Sequence, residues 1–246
     1  MKRTLFLSIM FCLMTIQVFA DWKIVISTKT SEGTEYKSTF YIKDGILKQE
    51  TPEMNVIIDL NRNSIIYSNT ATRSYWEGSK ENFEQEIEEL MKMMMIEMVG
   101  EEGYKQMKEM EESENSIGTL PEIEINFDDE SIALAGFSGN KHSVIVDGEL
   151  TEELWLCKEI DAFNEFDFAQ MGEMFGENDE SSYVDTDEYR QMIKTKGFPI
   201  KEITYSFGEV LETVELVSAE DTALSDDIFK APEGYKKSGL LELMGM

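Results

Sequence analysis

The sequence predicts a mainly β fold of the α+β class, built from antiparallel strands with helices inserted between them. Short runs that alternate apolar and polar residues recur at intervals of about 10 residues, which is typical of a meander that becomes a barrel or a sandwich. In two places the apolar period lengthens to three and four residues, which indicates helical insertions at about 79–114 and 161–196. A central hairpin has no purely polar face, so either both of its faces are covered or one lines an apolar cavity.

At least five short strands are predicted ahead of the first helical insertion. Gly33, Gly45 and the Asn61-Arg62-Asn63 run mark turns between them, because glycine and asparagine adopt the backbone conformations that tight turns need. The runs that read as strands lie at 22–30, 35–42, 46–50, 54–60, 65–69 and 73–77.

The first helical insertion begins at Ser79, a candidate N-cap, and is interrupted at Gly100 and Gly103. Its apolar residues recur at helical steps and include Phe83, Ile87, Leu90, Met91, Met94 and Met98. Methionine is flexible and suits surfaces that must fit variable apolar partners. Two interpretations stay open, a mobile lid over an apolar cavity and an amphipathic helix packed on a sheet. Thioether ligation of Cu(I) is disfavoured, because such sites place Met in loops or among histidines.

The second half of the chain returns to strands and then to helices. Alternation predicts a strand at 123–127 that ends in a turn at Asp128-Asp129-Glu130, followed by a hairpin that turns at Asp147-Gly148. Helices are predicted at 161–175 and 183–196, and a last hairpin at 200–207 and 210–217. The 161–175 helix must dock, because it exposes more apolar surface than solvent tolerates, from Phe163, Phe166, Phe168, Met171 and Phe175.

Three stretches resemble a bacterial family known as domain of unknown function 4412. They are AGFSGNKHSVIVDGELTEELWLC at 135–157, IIDLNRNSIIYSNTATRSYWE at 57–77 and IFKAPEGYKK at 228–237. The first shows the small-Gly-aromatic start, the strand and the acidic residue before Trp155 that are typical of the family. The resemblance covers about 22–237, and its motifs describe strands and turns rather than chemistry.

The resemblance implies a particular shape. The family is similar to the periplasmic lipoprotein-carrier fold (LolA/LppX-like), an unclosed antiparallel β-barrel in which helices plug an apolar concavity. We therefore expect a partly closed half-barrel whose inserted helices cover the concave face. The apolar side chains expected to line a ligand site there are Phe83, Leu90, Met91, Met94, Met98, Trp155, Phe163 and Phe166.

Residues 1–20 are predicted to form a secretory signal peptide, and 21–246 a single β-rich domain. Lys2 and Arg3 precede an almost wholly apolar run that ends in Val18-Phe19-Ala20, with small residues where signal peptidase cleaves. The run is too short to span a bilayer, so no membrane span is expected after cleavage. The expected location is the periplasm, with release from the cell as the alternative. Cys157 is then the one thiol, which is typical of a small buried apolar residue.

The formal net charge of −28 opposes binding to nucleic acid or to an anionic membrane surface, because phosphates would be repelled. Hydrophobic residues make up 41% of the chain, which is enough to build a core and argues against an acidic disordered protein.

No motif indicates catalysis or a cofactor. His142, the single histidine, lies on a predicted strand and is more typical of a polar strand residue than of a catalytic base. Any Ser-His or Cys-His arrangement would have to use it. Phosphate-loop, dinucleotide and zinc spacings do not occur, and the acidic runs at 177–180 and 185–187 lack the glycine and terminal Glu of a calcium loop. We therefore expect no enzymatic activity, no metal and no cofactor.

Two functional hypotheses follow. The leading one is an exported, non-enzymatic carrier or binding protein for a lipid or another apolar group in the cell envelope, with a lipid or an acylated protein as its partner. The alternative is an envelope interaction protein with a solid core, whose acidic surface binds a cationic partner. The first predicts uptake of an apolar probe, and the second predicts binding that weakens steeply with salt.

Overall fold

The computed structural model of the protein describes residues 21–114, 121–167 and 183–243. The predicted signal peptide at 1–20 and residues 168–175 of the second predicted helical segment lie outside these ranges.

The described residues contain twelve strands in one sheet. They are β1 (Trp22–Thr30), β2 (Glu35–Lys43), β3 (Ile46–Glu50), β4 (Met54–Asp59), β5 (Ser64–Asn69), β6 (Ser74–Ser79), β7 (Ile123–Leu134), β8 (Phe137–Val146), β9 (Glu149–Cys157), β10 (Phe198–Ser206), β11 (Glu209–Asp221) and β12 (Lys236–Lys237). Their order across the sheet is β12-β6-β5-β4-β3-β2-β1-β11-β10-β9-β8-β7. Neighbours are antiparallel, except that β12 runs parallel to β6. The sheet is not closed into a barrel, which confirms the predicted mainly β fold with an antiparallel, unclosed sheet.

The turns between the early strands lie where the sequence predicts them. Gly33 and Gly45 have φ angles of 87° and 75°, and Asn63 has a φ of 50°. Glycine and asparagine adopt this left-handed region at little cost, so the turn residues determine where each strand ends.

The turn predicted at Asp128-Asp129-Glu130 is wrong, because β7 continues through these residues as a bulge. The register passes from Phe127 opposite His142 to Ser131 opposite Asn140, so three residues of β7 lie opposite Lys141 alone. The Asp128 carboxylate accepts a hydrogen bond from the Glu130 amide at 3.2 Å. A bulge of this kind bends the strand without ending its pairing.

Among the described residues, two hydrophobic clusters lie on opposite faces of the sheet. The main cluster contains Trp22, Ile24, Ile42, Leu47, Ile58, Ile65, Trp76, Trp155, Cys157, Ile160, Ala162, Phe166, Ile200, Leu216, Leu240 and Leu243. The second cluster contains Val144, Leu154, Leu156 and Met192. Successive residues of a strand point to opposite faces, so Trp155 and Leu156 of β9 belong to different clusters. Both faces of the β8–β9 hairpin are therefore covered, which is one of the two arrangements that the sequence indicated.

Four α-helices connect or follow the strands in the part of the chain that the structure describes. They are α1 (Lys80–Glu114), α2 (Ala162–Glu165), α3 (Asp187–Lys196) and α4 (Leu240–Leu243). The predicted break in α1 is present at Gly100, whose φ of 78° and ψ of 164° are not helical. Helix α3 begins at Thr186, whose hydroxyl accepts a hydrogen bond from the Tyr189 amide, and it ends at Gly197 as predicted.

The helix predicted at 161–175 ends earlier than expected. Phe166 has an extended backbone, with φ −144° and ψ 126°, so α2 stops at Glu165. The carbonyl of Glu165 accepts a hydrogen bond from the Gly45 amide at 2.7 Å, and Phe166 is 1% exposed within the main cluster. The hydrogen bond to the β2–β3 turn and the burial of Phe166 therefore end α2 at Glu165.

Candidate functional site

The eight apolar residues predicted to line a ligand site fall into two groups. Five lie in or against the protein interior, where Leu90, Trp155 and Phe166 are buried and Phe83 and Phe163 are half-buried. The other three lie on the surface of α1, and they are Met91, Met94 and Met98. These residues therefore do not form one continuous surface among themselves.

The first turns of α1 are fixed to the sheet. Phe83 packs edge-on against Trp76 of β6, with ring centroids 5.5 Å apart. The indole of Trp76 donates a hydrogen bond to Glu86 at 2.9 Å, and the other oxygen of Glu86 accepts one from the Leu240 amide at 3.2 Å. This carboxylate joins α1 to β6 and α4, so the orientation of the helix at its start is determined.

The methionines continue the face of α1 that packs on the sheet. Residues at helical steps of three and four share one side of a helix, so Met94 lies in line with Leu90 and Ile87. Ile87 packs against the main cluster and Leu90 is 3% exposed, whereas Met94 is 43% exposed. Met91 and Met98, which flank Met94 on this side, are 56% and 78% exposed. We call Met91, Met94 and Met98 the methionine stripe.

Trp155 belongs to the main hydrophobic cluster and also lies next to charged side chains. The ammonium groups of Lys141 and Lys201, its neighbours on the adjacent strands, lie 5.2 and 5.4 Å from the ring centroid. Lys141 forms an ion pair with Glu153 at 2.6 Å, and Lys201 forms one with Glu215 at 2.8 Å. The hydrogen bond from Lys141 to Glu153 raises the pKa of Lys141. The indole nitrogen of Trp155 is buried and has no hydrogen-bond partner among the described residues.

The opposite face of β9 holds a buried acidic pair that the sequence analysis missed. Glu152 is 3% exposed, and it shares a hydrogen bond with Glu202 of β10 and another with Tyr189 of α3. Burial, together with the nearby Glu202 carboxyl, raises the pKa of Glu152 to about 8. Burial also raises the pKa of Glu202 and of Tyr189. The alternation of β9 carries a signal for this site, because Glu152 lies on the same face as Leu154 and Leu156.

His142 lies on the same face of the sheet and is buried. Its Nδ1 atom is 2.9 Å from the carbonyl oxygen of Asn140, and no residue that the structure describes bonds to Nε2. Phe127 packs edge-on against the imidazole at a centroid distance of 4.8 Å. Burial lowers the pKa of His142, which favours the neutral form of the ring.

An open groove of about 310 Å³ lies between β7 and α3. Its lining is mainly apolar and comprises Ile123, Ile125, Phe127, Glu188, Gln191, Met192, Thr195 and Lys196. Phe127 remains 64% exposed, although the ammonium group of Lys196 lies 4.3 Å from its ring centroid.

Neither a metal cluster nor a membrane-spanning helix is found among the described residues. Within 21–114, 121–167 and 183–243, no three His, Cys, Asp or Glu side chains are arranged to hold a metal ion. The helices in the same ranges lack the combined length and apolarity that crossing a membrane requires.

Residues 128–235 match the profile of a family described as a domain of unknown function, DUF4412. This is the family that the sequence motifs indicated. No curated protein matches the sequence.

Several solved structures are similar to the chain at low identity. PNGF-II is 8% identical with a TM-score of 0.38, and the match covers 92% of this chain and 32% of that one. MucB is 8% identical with a TM-score of 0.37, covering 89% and 60% of the two chains. The complex structure of Pseudomonas aeruginosa MucA/MucB matches at 7% identity with a TM-score of 0.39, and the match covers 86% of this chain and 56% of that one. The chain thus spans less than two thirds of each of these proteins.

Proposed function

We propose that this chain, whose residues 128–235 match the DUF4412 family, is a non-enzymatic binding protein of the cell envelope that holds an apolar group against the methionine stripe of α1. The ligand class is an acyl chain, either of a lipid or of an acylated protein. Export through residues 1–20 into the periplasm belongs to the proposal, since lipids and acylated proteins are present there.

The observation that carries the proposal is the change in exposure along one face of α1. Ile87 packs against the main cluster and Leu90 is 3% exposed, and the same side of the helix then continues as Met94, which is 43% exposed. A run of exposed apolar side chains beside a packed core is a surface that an apolar ligand can cover. The ligand would then continue the contact that the first turns of α1 make with the sheet.

Methionine suits this role better than a β-branched residue would. Its unbranched side chain adapts to ligands of different shape, and its sulfur is polarisable. Each methylene of an acyl chain that leaves water contributes about 0.8 kcal/mol, so even partial cover of a long chain supplies useful affinity. In this proposal the first turns of α1 pack on the main-cluster face of the sheet, and the ligand packs on the methionine stripe beside them.

The test is binding of a fluorescent fatty acid to folded protein, with unlabelled fatty acid as the competitor. Met94→Glu places a carboxylate in the middle of the stripe, where covering it with an acyl chain would cost several kcal/mol, so we expect binding to be lost. Met54→Glu on β4 is the matched control, because Met54 is a methionine of similar exposure, 37%, on another element. We expect this control to bind as the parent does.

Circular dichroism of both variants separates loss of binding from loss of folding. Equal fatty-acid binding by the parent and by Met94→Glu would exclude the stripe as the site. Absence of binding in the parent itself would remove the proposed ligand class.

A further inference from the structure

The two edges of the sheet are finished differently. At one edge the short strand β12 lies along β6, with hydrogen bonds from the Lys236 amide to Arg73 and from the Ser238 amide to Tyr75. At the other edge β7 is 12 residues long and, among the described residues, pairs with β8 alone. A long edge strand presents a row of unpaired backbone N–H and C=O groups to any extended segment that reaches it.

Within 21–114, 121–167 and 183–243, no strand lies along the outer edge of β7. Glu124, Asn126 and Phe127 are exposed, and so are the residues of the bulge at 128–130. The edge is therefore accessible from solvent along most of its length.

The groove beside β7 can accommodate side chains of a segment that pairs with this edge. Ile123, Ile125 and Phe127 alternate along the strand and line the groove together with Met192 of α3. A segment that adds to a sheet edge points every second side chain to the same face. Such a segment would pair its backbone with β7 and place alternate apolar side chains in the groove.

The charge of the edge determines which segment fits. Residues 122–134 carry five carboxylates and no Lys or Arg, and the carboxylates are Glu122, Glu124, Asp128, Asp129 and Glu130. Within the Debye length of about 8 Å these charges attract Lys or Arg side chains on an added strand. A second copy of this chain would bring an equal set of carboxylates against them, so self-pairing is opposed.

We propose that the β7 edge and the adjoining groove bind an extended basic segment of a partner protein by strand addition. The segment would carry apolar residues at alternate positions, directed into the groove, with Lys or Arg between them. Carboxylates on an edge also protect a sheet from aggregation. Protection alone does not account for an exposed phenylalanine that lines an apolar groove. The inference is independent of the proposed apolar ligand, since β7 and α1 are different surfaces.

The probe is a labelled synthetic peptide of about 10 residues, the length of one strand, that alternates Lys with Val. A peptide with the same residues in two blocks controls for charge, and a Glu-Val peptide controls for strand propensity. We expect the alternating basic peptide to bind with an affinity that falls as salt is added, and both control peptides to bind at least about tenfold more weakly. Equal binding by the block peptide would overturn the proposal, because charge alone would then explain the binding.

Two variants test the edge itself. Phe127→Asp should weaken peptide binding by about tenfold or more, because it removes the exposed apolar contact and adds a charge to the groove. Phe207→Asp, at the β10–β11 turn and 98% exposed, is the matched control and should bind as the parent does. Unchanged binding by Phe127→Asp would place the peptide elsewhere.

Amide hydrogen exchange tests strand addition directly. Addition to the edge predicts that peptide slows exchange within β7, whereas peptide binding that leaves β7 exchange unchanged would reject it. If the parent dimerises in sedimentation and Phe127→Asp abolishes the dimer, the occupant is a second copy and the proposed basic partner is wrong.

Discussion

Glu152 and Glu202 lie on neighbouring strands beneath α3 and share a hydrogen bond, while the Oε2 atom of Glu152 is buried and no described residue bonds to it. Two carboxylates in such a place cannot both be charged at low cost, so one of them keeps a proton at neutral pH. Tyr183 and Tyr189, which pack edge-on with ring centroids 5.6 Å apart, belong to the segment that covers the pair. Packing of this segment on the sheet is therefore coupled to a proton.

We expect the free energy of unfolding to fall as pH rises towards 8. The pKa of Glu152 is about 8 in the folded protein and 4.5 as its ordinary value. The folded state therefore binds the proton more tightly than the unfolded state. The stabilisation from this proton is complete below pH 4.5, the ordinary pKa of the group, and is lost as pH rises from there to about 8. The loss in free energy of unfolding is about 1.4 kcal/mol for each unit of difference between the two pKa values. Urea unfolding at pH 5 and at pH 8 measures this loss.

Glu152→Gln removes the titrating group and should flatten the pH dependence of stability. Glu149→Gln, at an exposed position of the same strand, is the control and should keep the slope of the parent. A slope that persists in Glu152→Gln would show that other groups cause it.

Glu86 should contribute more to stability than other glutamates of α1. Its carboxylate accepts hydrogen bonds from Trp76 and from the Leu240 amide, so Glu86→Ala leaves two donors without their partner. The expected cost is about 1–3 kcal/mol for each donor left buried and unpaired. Chemical denaturation of Glu86→Ala against Glu89→Ala, an exposed position on the same helix, measures the difference. Equal midpoints would mean that the apolar contacts of Phe83 and Ile87 hold the first turns of α1 without help from Glu86.

Strand positions in the first third of the chain could be predicted because local chemistry determines them. Gly45 and Asn63 adopt positive φ angles in their turns, and apolar residues alternate between the turns. The bulge in β7 could not be predicted in the same way, because an Asp-Asp-Glu run has the composition of a turn. Whether the run forms a turn or a bulge depends on pairing with β8, where Lys141 lies opposite the run and within 3.5 Å of Glu130.

The candidate site could be predicted only in part for a similar reason. Helical spacing indicates that Leu90 and Met94 share a side of α1, but it does not show at which residue that side changes from buried to exposed. Alternation places Glu152 on the face of Leu154, which is a local signal of a buried carboxyl group. Its partner Glu202 is distant in sequence and becomes a neighbour only through the order of β9 and β10 in the sheet.

Phe207→Asp should stabilise the protein. Phe207 is 98% exposed and has a φ of 52° in the turn before Gly208. The equivalent position in the β8–β9 turn is Asp147, with a φ of 49°. Tight turns of this type favour Asn, Asp or Gly at that position, so the exchange should gain about 0.5–1 kcal/mol in thermal or urea unfolding. A loss of stability instead would indicate a contact that Phe207 makes in solution.

Gly197→Ala should be among the most damaging substitutions in the chain. Gly197 ends α3 with a φ of 104°, and its amide donates a hydrogen bond to the Ile193 carbonyl. A Cβ atom there would overlap the backbone carbonyl of Cys157, where β9 ends. Backbone of a paired strand cannot move aside cheaply, so α3 would have to shift from the second cluster.

Gly208→Ala separates this overlap from conformational strain. Gly208 also has a positive φ, 78°, but a Cβ atom there meets nothing within 4 Å. Its substitution should cost about 1 kcal/mol, the ordinary penalty for a side chain in the left-handed region. We expect Gly197→Ala to exceed that cost by several kcal/mol, in the range of overpacked core positions. Equal unfolding midpoints for the two variants would mean that α3 can move away from Cys157 without loss, and that its packing over Glu152 contributes little to the stability of the fold.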